Sequence, residues 1–413
     1  MRIKVLHVVG GSLSNGAAKG ANILHNALLE LDIDSKLLND TSLQINKKEI
    51  KNSDNTIIFI NNNFFKKFFN KIFIYLEKIL KSIYLHSPRE TFTLGFFGSD
   101  ITKLKEYNDA DIIHFHWLSQ GFINLKSLSK INKPVIWTMR DMWTFTGGSH
   151  YTMDFEKYEN SIISKLIQKF KKNIYNKNFQ FVAVSNWLKV RAEKSKVLKG
   201  RDIKKIDNNI NLNDFNLIPK NIAREALDIS THKQVILYGA QNPQSKRKGW
   251  NIFVESIKKL DSANFFLLIF GNFWSKETLD SIGIEYKILG FINDKKLLNA
   301  TYSSADIFVA SSIEDAWPKT FAEAMYCGIP VVCFDNTSIS EIVDHKINGY
   351  VVKNFDSNQL KDGIKWLSHE IKKNECIGEE ARNKILNFDA KVIAKKYIAL
   401  YESILNNNLN KKK

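Results

Sequence analysis

Short, largely apolar runs recur along the chain, each closing on glycine or a polar loop and followed by apolar residues every three or four positions. The runs at residues 3–9, 56–60, 111–117, 133–138 and 179–184 predict buried strands in the first half. Those at 235–238, 265–270, 286–289, 306–310, 331–334 and 347–352 predict the same in the second half. Runs without polar alternation suit strands covered on both faces, and the helical periods between them suit the crossovers that parallel strands require. The pattern predicts two doubly wound α/β domains. Residues 208–215, Asn-Asn-Ile-Asn-Leu-Asn-Asp-Phe, follow neither period and read as the linker. A last apolar-periodic stretch at 390–405 predicts a helix, and residues 406–413 a polar tail.

The first run ends in Gly10-Gly11, and Gly16 precedes a helical period through Ala21, Leu24, Leu28 and Leu31. Strand, glycine-rich turn and helix open a doubly wound domain. The glycines do not fit GxGxxG and no acid ends a second strand at the expected distance, so the nicotinamide-dinucleotide fingerprint is missing. The plain reading is a turn that lets backbone come close to whatever occupies the crevice. The run at 111–117 carries His114 and His116 on one face. The next run leads into Met139-Arg-Asp-Met-Trp-Thr-Phe-Thr-Gly-Gly-Ser-His-Tyr151. Polar and aromatic groups at the carboxyl ends of parallel strands stand where such sheets bind ligands. Packed or capping histidines are the alternative, and the residues leave both readings open.

In the second half, the loop at 240–249 holds Lys246-Arg-Lys248, three cations at a strand-to-helix turn. They either hold a pyrophosphate or form a solvated charge run. The richest stretch is 311–330, Ser-Ser-Ile-Glu-Asp-Ala-Trp-Pro-Lys-Thr-Phe-Ala-Glu-Ala-Met-Tyr-Cys-Gly-Ile-Pro. A polar loop follows a strand, Pro318 stands at a first helical position, and Gly328 and Pro330 stop the helix. A helix N-terminus at the end of a parallel strand favours anions. Asp315 and Glu323 beside it suit hydroxyl groups, so the predicted ligand is a phosphate-linked sugar.

Composition narrows the class. At 413 residues and 44% hydrophobic content, the chain is long enough for two or three domains and is globular. A formal charge of +17 calls for an anionic partner: nucleic acid, a membrane surface or a phosphorylated small molecule. Residues 64–85 mix bulky apolar residues with Lys66, Lys67, Lys71, Lys78 and Lys81. As a helix this stretch either faces a core with solvated lysines or lies on an anionic bilayer. Three cysteines without metal-type spacing predict free thiols in a reducing compartment. The absence of a signal peptide and of a transmembrane-length apolar run predicts a cytoplasmic protein, peripheral at most on the inner face of the membrane.

The stretch from Asp315-Ala-Trp-Pro-Lys-Thr-Phe-Ala-Glu323 to Val332 resembles the donor-site signature of retaining glycosyltransferases of family 4. With His114-Phe-His-Trp, Asp141-Met-Trp-Thr-Phe-Thr-Gly-Gly, and Ser340-Glu-Ile-Val followed by Asn348-Gly-Tyr-Val-Val, it is most similar to the branch that builds bacterial exopolysaccharide and lipopolysaccharide. The resemblance implies the GT-B fold: two Rossmann-like domains facing across a cleft, with a C-terminal helix crossing back to the first. That places an N-terminal acceptor-side domain at 1–210, a nucleotide-sugar donor domain at 211–385, and the returning helix with its tail at 386–413. The implied reaction moves a hexose from a UDP- or GDP-linked sugar to a saccharide or lipid-linked saccharide, with retention and without a metal or other cofactor. Nucleic acid is not an implied partner. By the same resemblance Glu323 binds the nucleotide ribose, Asp315 sits near donor sugar hydroxyls, and His116 faces the reacting carbon. Arg247, Lys248 and the amides around Lys319 and Thr320 neutralise the pyrophosphate, and Gly10 and Gly11 let their loop approach it. Arg140, Asp141 and His150 are placed on the acceptor side. Three positions differ from the family pattern: Asp315 replaces a more usual Glu, Gly239-Ala240 replaces Gly-Arg, and Arg140 replaces a His. A sugar-nucleotide epimerase of the same fold and a non-catalytic polyanion- or membrane-binding protein are the competing expectations.

Overall fold

The structure, a computed structural model, describes residues 2–13, 16–40, 55–60, 72, 75, 79, 91–96, 98–118, 122–153, 155–175, 178–272, 275–373 and 376–410. It resolves into two compact units, Met1–Asn209 with Ala390–Lys413, and Ile210–Asp389. The basic amphipathic stretch at 64–85 lies outside the described residues apart from Ile72, Tyr75 and Ile79, which are helical and exposed.

Unit 1 is built on seven parallel strands, β1 Lys4–Val9, β2 Asp34–Asp40, β3 Ile57–Ile60, β4 Ile112–Phe115, β5 Val135–Met139, β6 Phe179–Ala183 and β7 Ile203–Lys205. Their spatial order is β3-β2-β1-β4-β5-β6-β7. The order reverses direction between β1 and β4, and the crevice of a doubly wound sheet opens at the carboxyl ends of the strands flanking such a reversal. Here those ends deliver Gly10 and His116. Helix α1, Gly16–Glu30, buries Ala21, Leu24 and Leu28 against the sheet at the helical spacing read from the sequence. The C-terminal helix Ala390–Asn410 belongs to this unit although it follows unit 2 in the chain. Its Ile393, Ala394, Tyr397 and Tyr401 are buried with Val5, Leu24, Leu28, Ile112 and Ile136.

Unit 2 has six parallel strands, β8 Gln234–Gly239, β9 Phe265–Phe270, β10 Tyr286–Gly290, β11 Ile307–Ala310, β12 Val331–Phe334 and β13 Gly349–Val352. The order β10-β9-β8-β11-β12-β13 reverses between β8 and β11. β9, β11 and β12 are buried along their whole length, as their unbroken apolar sequences require. After β8 the chain makes one turn of 3-10 helix at Lys246–Lys248, then Gly249, then helix α2, Trp250–Ile257. Gly249 has φ +68°, and a Cβ there would run into the Ser311 carbonyl beyond β11. Glycine therefore answers two demands at once, a left-handed backbone and a close approach. Ser311 Oγ completes the clasp by donating to the Lys248 carbonyl at 2.8 Å. Tyr238 OH donates to the same carbonyl at 3.1 Å.

The core of unit 1 also holds an uncharged polar chain. β1 and β4 are in register with His7 opposite His114. His7 Nδ1 lies 2.9 Å from His116 Nε2, while His114 meets Tyr401 OH and Thr138 Oγ1, each at 2.8 Å. Tyr397 OH bonds the same Thr138 hydroxyl at 2.8 Å. The C-terminal helix is thus tied to the sheet by directional bonds as well as by apolar burial. His7, His114 and His116 could together ligate a metal by proximity. Arg140 stands against His116 and, among the described residues, no carboxylate belongs to the group, so a dication there would meet a cation without a counter-charge.

Burial, reinforced by neighbouring charges, holds His7, His114 and His116 well below 6.5. As pH falls through 6.5 the unfolded chain takes up protons on these rings and the folded chain does not, so their contribution is complete above that value and lost below it. Each ring then adds roughly 1.4 kcal/mol of lost stability per pH unit. We expect melting temperature to fall steeply between about pH 6.5 and 5.5, with about three protons taken up on unfolding. Calorimetry in buffers of different ionisation enthalpy reads that number, and an uptake of one proton or fewer would contradict the buried neutral chain. Separately, Gly249→Ala should lower the melting temperature by about 5 °C or more, because both backbone strain and collision follow from one methyl group. An unchanged melting curve would show that the turn at residues 246–249 is not held as described.

Candidate active site

Two groups of polar side chains gather at the carboxyl ends of the two sheets, one on each unit. On unit 2, the clasp at Gly249 sets the cationic turn beside the loop after β11. Arg247 O accepts from Ile313 N at 2.8 Å, which pins the turn to that loop. Arg247 Nη1 reaches Asp315 Oδ2 at 3.2 Å, and Lys248 Nζ donates to the same oxygen. Asp315 Oδ1 accepts from Trp317 N at 3.2 Å. Lys246 alone of the three cations is exposed. Burial pushes the Asp315 carboxyl up, but Lys248 and Arg247 outweigh it and hold the group below its ordinary value. A charged trio is the result.

Next to the trio begins helix α3, Lys319–Tyr326. Pro318, expected as its first residue, is instead its N-cap, with φ −70° and ψ 133°, and supplies no side-chain hydrogen bond. The first-turn amides of an uncapped helix point outward and attract anions. Lys319 and Thr320 occupy that turn and are half-buried. One turn further in, Glu323 is 4% exposed and its Oε2 accepts from Tyr302 OH at 2.8 Å. Asp315, Glu323, Arg247, Lys248, Lys319 and Thr320, singled out from the sequence, therefore lie on one connected stretch of unit 2.

On unit 1, Gly10 N donates to Trp117 O at 2.7 Å, and Gly11, with φ +89°, lies over the Trp117 ring. Trp117 Nε1 donates to Asp141 Oδ2 at 2.9 Å. That oxygen also meets His150 Nδ1 at 2.6 Å, while Asp141 Oδ1 accepts from Trp143 N at 2.9 Å. Trp117 Nε1 also lies 3.1 Å from His150 Nδ1, and His150 Nε2 lies 3.4 Å from Thr93 Oγ1. Beneath this loop, the buried Lys171 donates to the Thr146 carbonyl at 3.0 Å and sits 4.0 Å from the Trp143 ring centre. Burial pushes the Lys171 ammonium down to about 7. His116 is 3% exposed. Both its nitrogens are engaged, one with His7 and the other with Arg140 at 3.4 Å.

The residues singled out from the sequence lie together on each unit, and the side chains that support them were not among those singled out. His7 was signalled by its place in β1, opposite His114 once the strand order is known. Tyr302, Lys171 and the two tyrosines of the C-terminal helix carried no local signal, because sequence-distant packing brings them in.

Comparison with known proteins follows this division. Residues 220–384, within unit 2, match the family model described as glycosyl transferases group 1. An uncharacterized 41.2 kDa protein in the cps region of Klebsiella pneumoniae is 22% identical, over 78% of this chain and 87% of its own. The N,N'-diacetylbacillosaminyl-diphospho-undecaprenol alpha-1,3-N-acetylgalactosaminyltransferase of Campylobacter jejuni is 29% identical, over 39% of this chain and 43% of its own. Among solved structures, Anabaena Alr3699/HepE in complex with UDP and glucose has a TM-score of 0.63 at 18% identity, covering 97% of this chain and all of that one. The two parallel sheets and the likeness to solved structures agree on the GT-B fold, and the match to glycosyl transferases group 1 falls on the unit that carries the charged loop and helix α3.

Proposed function

We propose that the chain transfers a hexose from a UDP- or GDP-linked sugar to a saccharide or lipid-linked saccharide in surface polysaccharide synthesis, with retention at the anomeric carbon. One observation carries the reading. At the strand reversal of unit 2, two cations are locked beside an uncapped helix N-terminus, with a buried carboxylate one turn further along. That arrangement matches a nucleoside diphosphate group by group: cations and amides for the phosphates, Glu323 for the ribose hydroxyls. The relatives named above support the saccharide setting, one by its cps region and one by its N-acetylgalactosaminyl transfer.

Asp315 holds Arg247 and Lys248 in the resting chain. When a diphosphate arrives, the cations turn to it and the Asp315 oxygens become acceptors for sugar hydroxyls. As the glycosidic bond to the leaving diphosphate breaks, charge grows on its terminal phosphate, and Arg247, Lys248 and the α3 amides stabilise it. The acceptor hydroxyl attacks from the face the leaving group departs from, and a phosphate oxygen takes its proton. This scheme assigns the neutralisation to protein cations and needs no metal ion. On unit 1, Asp141 and His150 are assigned to the acceptor, and His116 acts through Arg140. Contact with an anionic membrane through residues 64–85 fits a lipid-linked acceptor and is part of the same reading.

Lys248→Ala or Glu323→Ala should each lower turnover by about a hundredfold or more while leaving the circular-dichroism spectrum unchanged. Near-normal turnover of the double variant would remove the site assignment. Turnover should survive EDTA, and a requirement for an added divalent cation would displace the cation scheme. Proton NMR of the early product should show the donor's anomeric configuration, and the opposite anomer would exclude retention.

A further inference from the structure

Arg140 is a strongly desolvated cation of the unit 1 site that contacts no carboxylate among the described residues. Nη1 donates to Asn208 Oδ1 at 2.6 Å, and Nε and Nη2 lie 3.4 Å from His116 Nδ1. A guanidinium carries five N–H groups, and among the described residues these acceptors leave part of the fork unused. Its sequence neighbour Asp141 gives both oxygens to Trp117, His150 and Trp143. His116 and His7 behind it are neutral. Burial depresses the Arg140 guanidinium to about 10, a cost that a counter-charge would remove.

The surroundings hold the group in place without neutralising it. Gly20 of α1 lies flat against it: a Cβ at that position would collide with Nη1. Asn209 Nδ2 donates to the Gly20 carbonyl at 3.1 Å and fixes that turn of α1. Helix α1 has no acid in its first turn, so its N-terminal amides add to the positive field. Arg140 follows directly on the carboxyl end of β5, on the ligand side of the sheet, and retains partial exposure. A fixed, half-open guanidinium fork of this kind matches a planar or tetrahedral oxyanion with two parallel hydrogen bonds.

We infer that Arg140, seated on Gly20 and steadied by Asn208 and His116, binds an oxyanion of the acceptor: the carboxylate of an acidic sugar or the phosphate of a lipid-linked one. The inference rests on the acceptor-side assignment of unit 1 and names the substrate class for it. The phosphates of the donor are already provided for on unit 2 by Arg247, Lys248 and α3.

The test is calorimetric titration of the chain carrying both Arg247→Ala and Lys248→Ala, so that the unit 2 cations do not compete. The probes are methyl glucuronide for a carboxylate, inorganic phosphate for a phosphate, and methyl glucoside as the neutral control. One of the two anions should bind more tightly than the glucoside, and adding Arg140→Gln should weaken it roughly ten- to hundredfold. Adding Gly20→Ala instead should weaken it too, because the charge is kept and only displaced. Which anion binds identifies the source, and either supports the inference. Arg140→Gln should melt no lower than its parent, since it removes a desolvated charge. Equal binding with and without Arg140, or no anion preferred over the glucoside, would overturn the inference. With Arg247 and Lys248 intact, UDP or GDP affinity should be indifferent to Arg140→Gln; an equal loss there would move Arg140 to the donor and overturn it as well. If neither nucleotide binds while Arg140-dependent anion binding persists, the nucleotide-sugar reading fails and the anion site stands.

Discussion

A charge taken out of water at the end of a parallel sheet must find a counter-charge, and both polar centres of this chain are arranged around that requirement. On unit 2 it is met internally: Asp315 faces Lys248 and Arg247, and its carboxyl stays ionised despite burial. A diphosphate would offer the same cations more charge than one carboxylate does, which is what the proposed exchange requires. On unit 1 no carboxylate among the described residues contacts Arg140. The two centres therefore differ in kind: the unit 2 cations face a carboxylate, and Arg140 faces an amide oxygen and a neutral ring.

The backbone makes these placements possible before any side chain acts. Both sheets reverse their strand order once, between β1 and β4 and between β8 and β11, and the polar groups stand at those reversals. At one of them Gly249 lets the cationic turn come against Ser311; at the other Gly10 and Gly11 come against Trp117. In unit 1 the C-terminal helix closes the sheet through Tyr397 and Tyr401, which reach Thr138 and His114. The histidines are thereby held neutral and fixed, and His116 presents a ring nitrogen to Arg140 instead of to solvent.

Much of this was legible in the sequence because parallel strands buried on both faces have a plain signature. Residues 265–270, Phe-Phe-Leu-Leu-Ile-Phe, admit few readings other than a central strand, and β9 occupies that span. The stretch 306–330 likewise carried its own strand, loop, helix and stop signals, so Asp315 and Glu323 were placed correctly relative to α3. Pro318 slipped by one position, since proline suits both the N-cap and the first helical residue. What local pattern did not carry was pairing across long sequence separations. The bond from Tyr302 to Glu323, the Lys171 beneath Trp143, and the reach of Tyr401 to His114 depend on how elements pack, and no spacing encodes them. Nor did the pattern tell that Asp315 faces its own cations, or that His116 faces His7.

The central claim is that unit 2 binds a nucleoside diphosphate through groups already in place. Calorimetric titration of the full-length chain with UDP and with GDP tests it most directly. The account predicts saturable binding of at least one of them at one site per chain, weakened by added salt as expected for phosphates held by cations. Absence of binding by both, at concentrations up to the millimolar range typical of weak substrates, would contradict it.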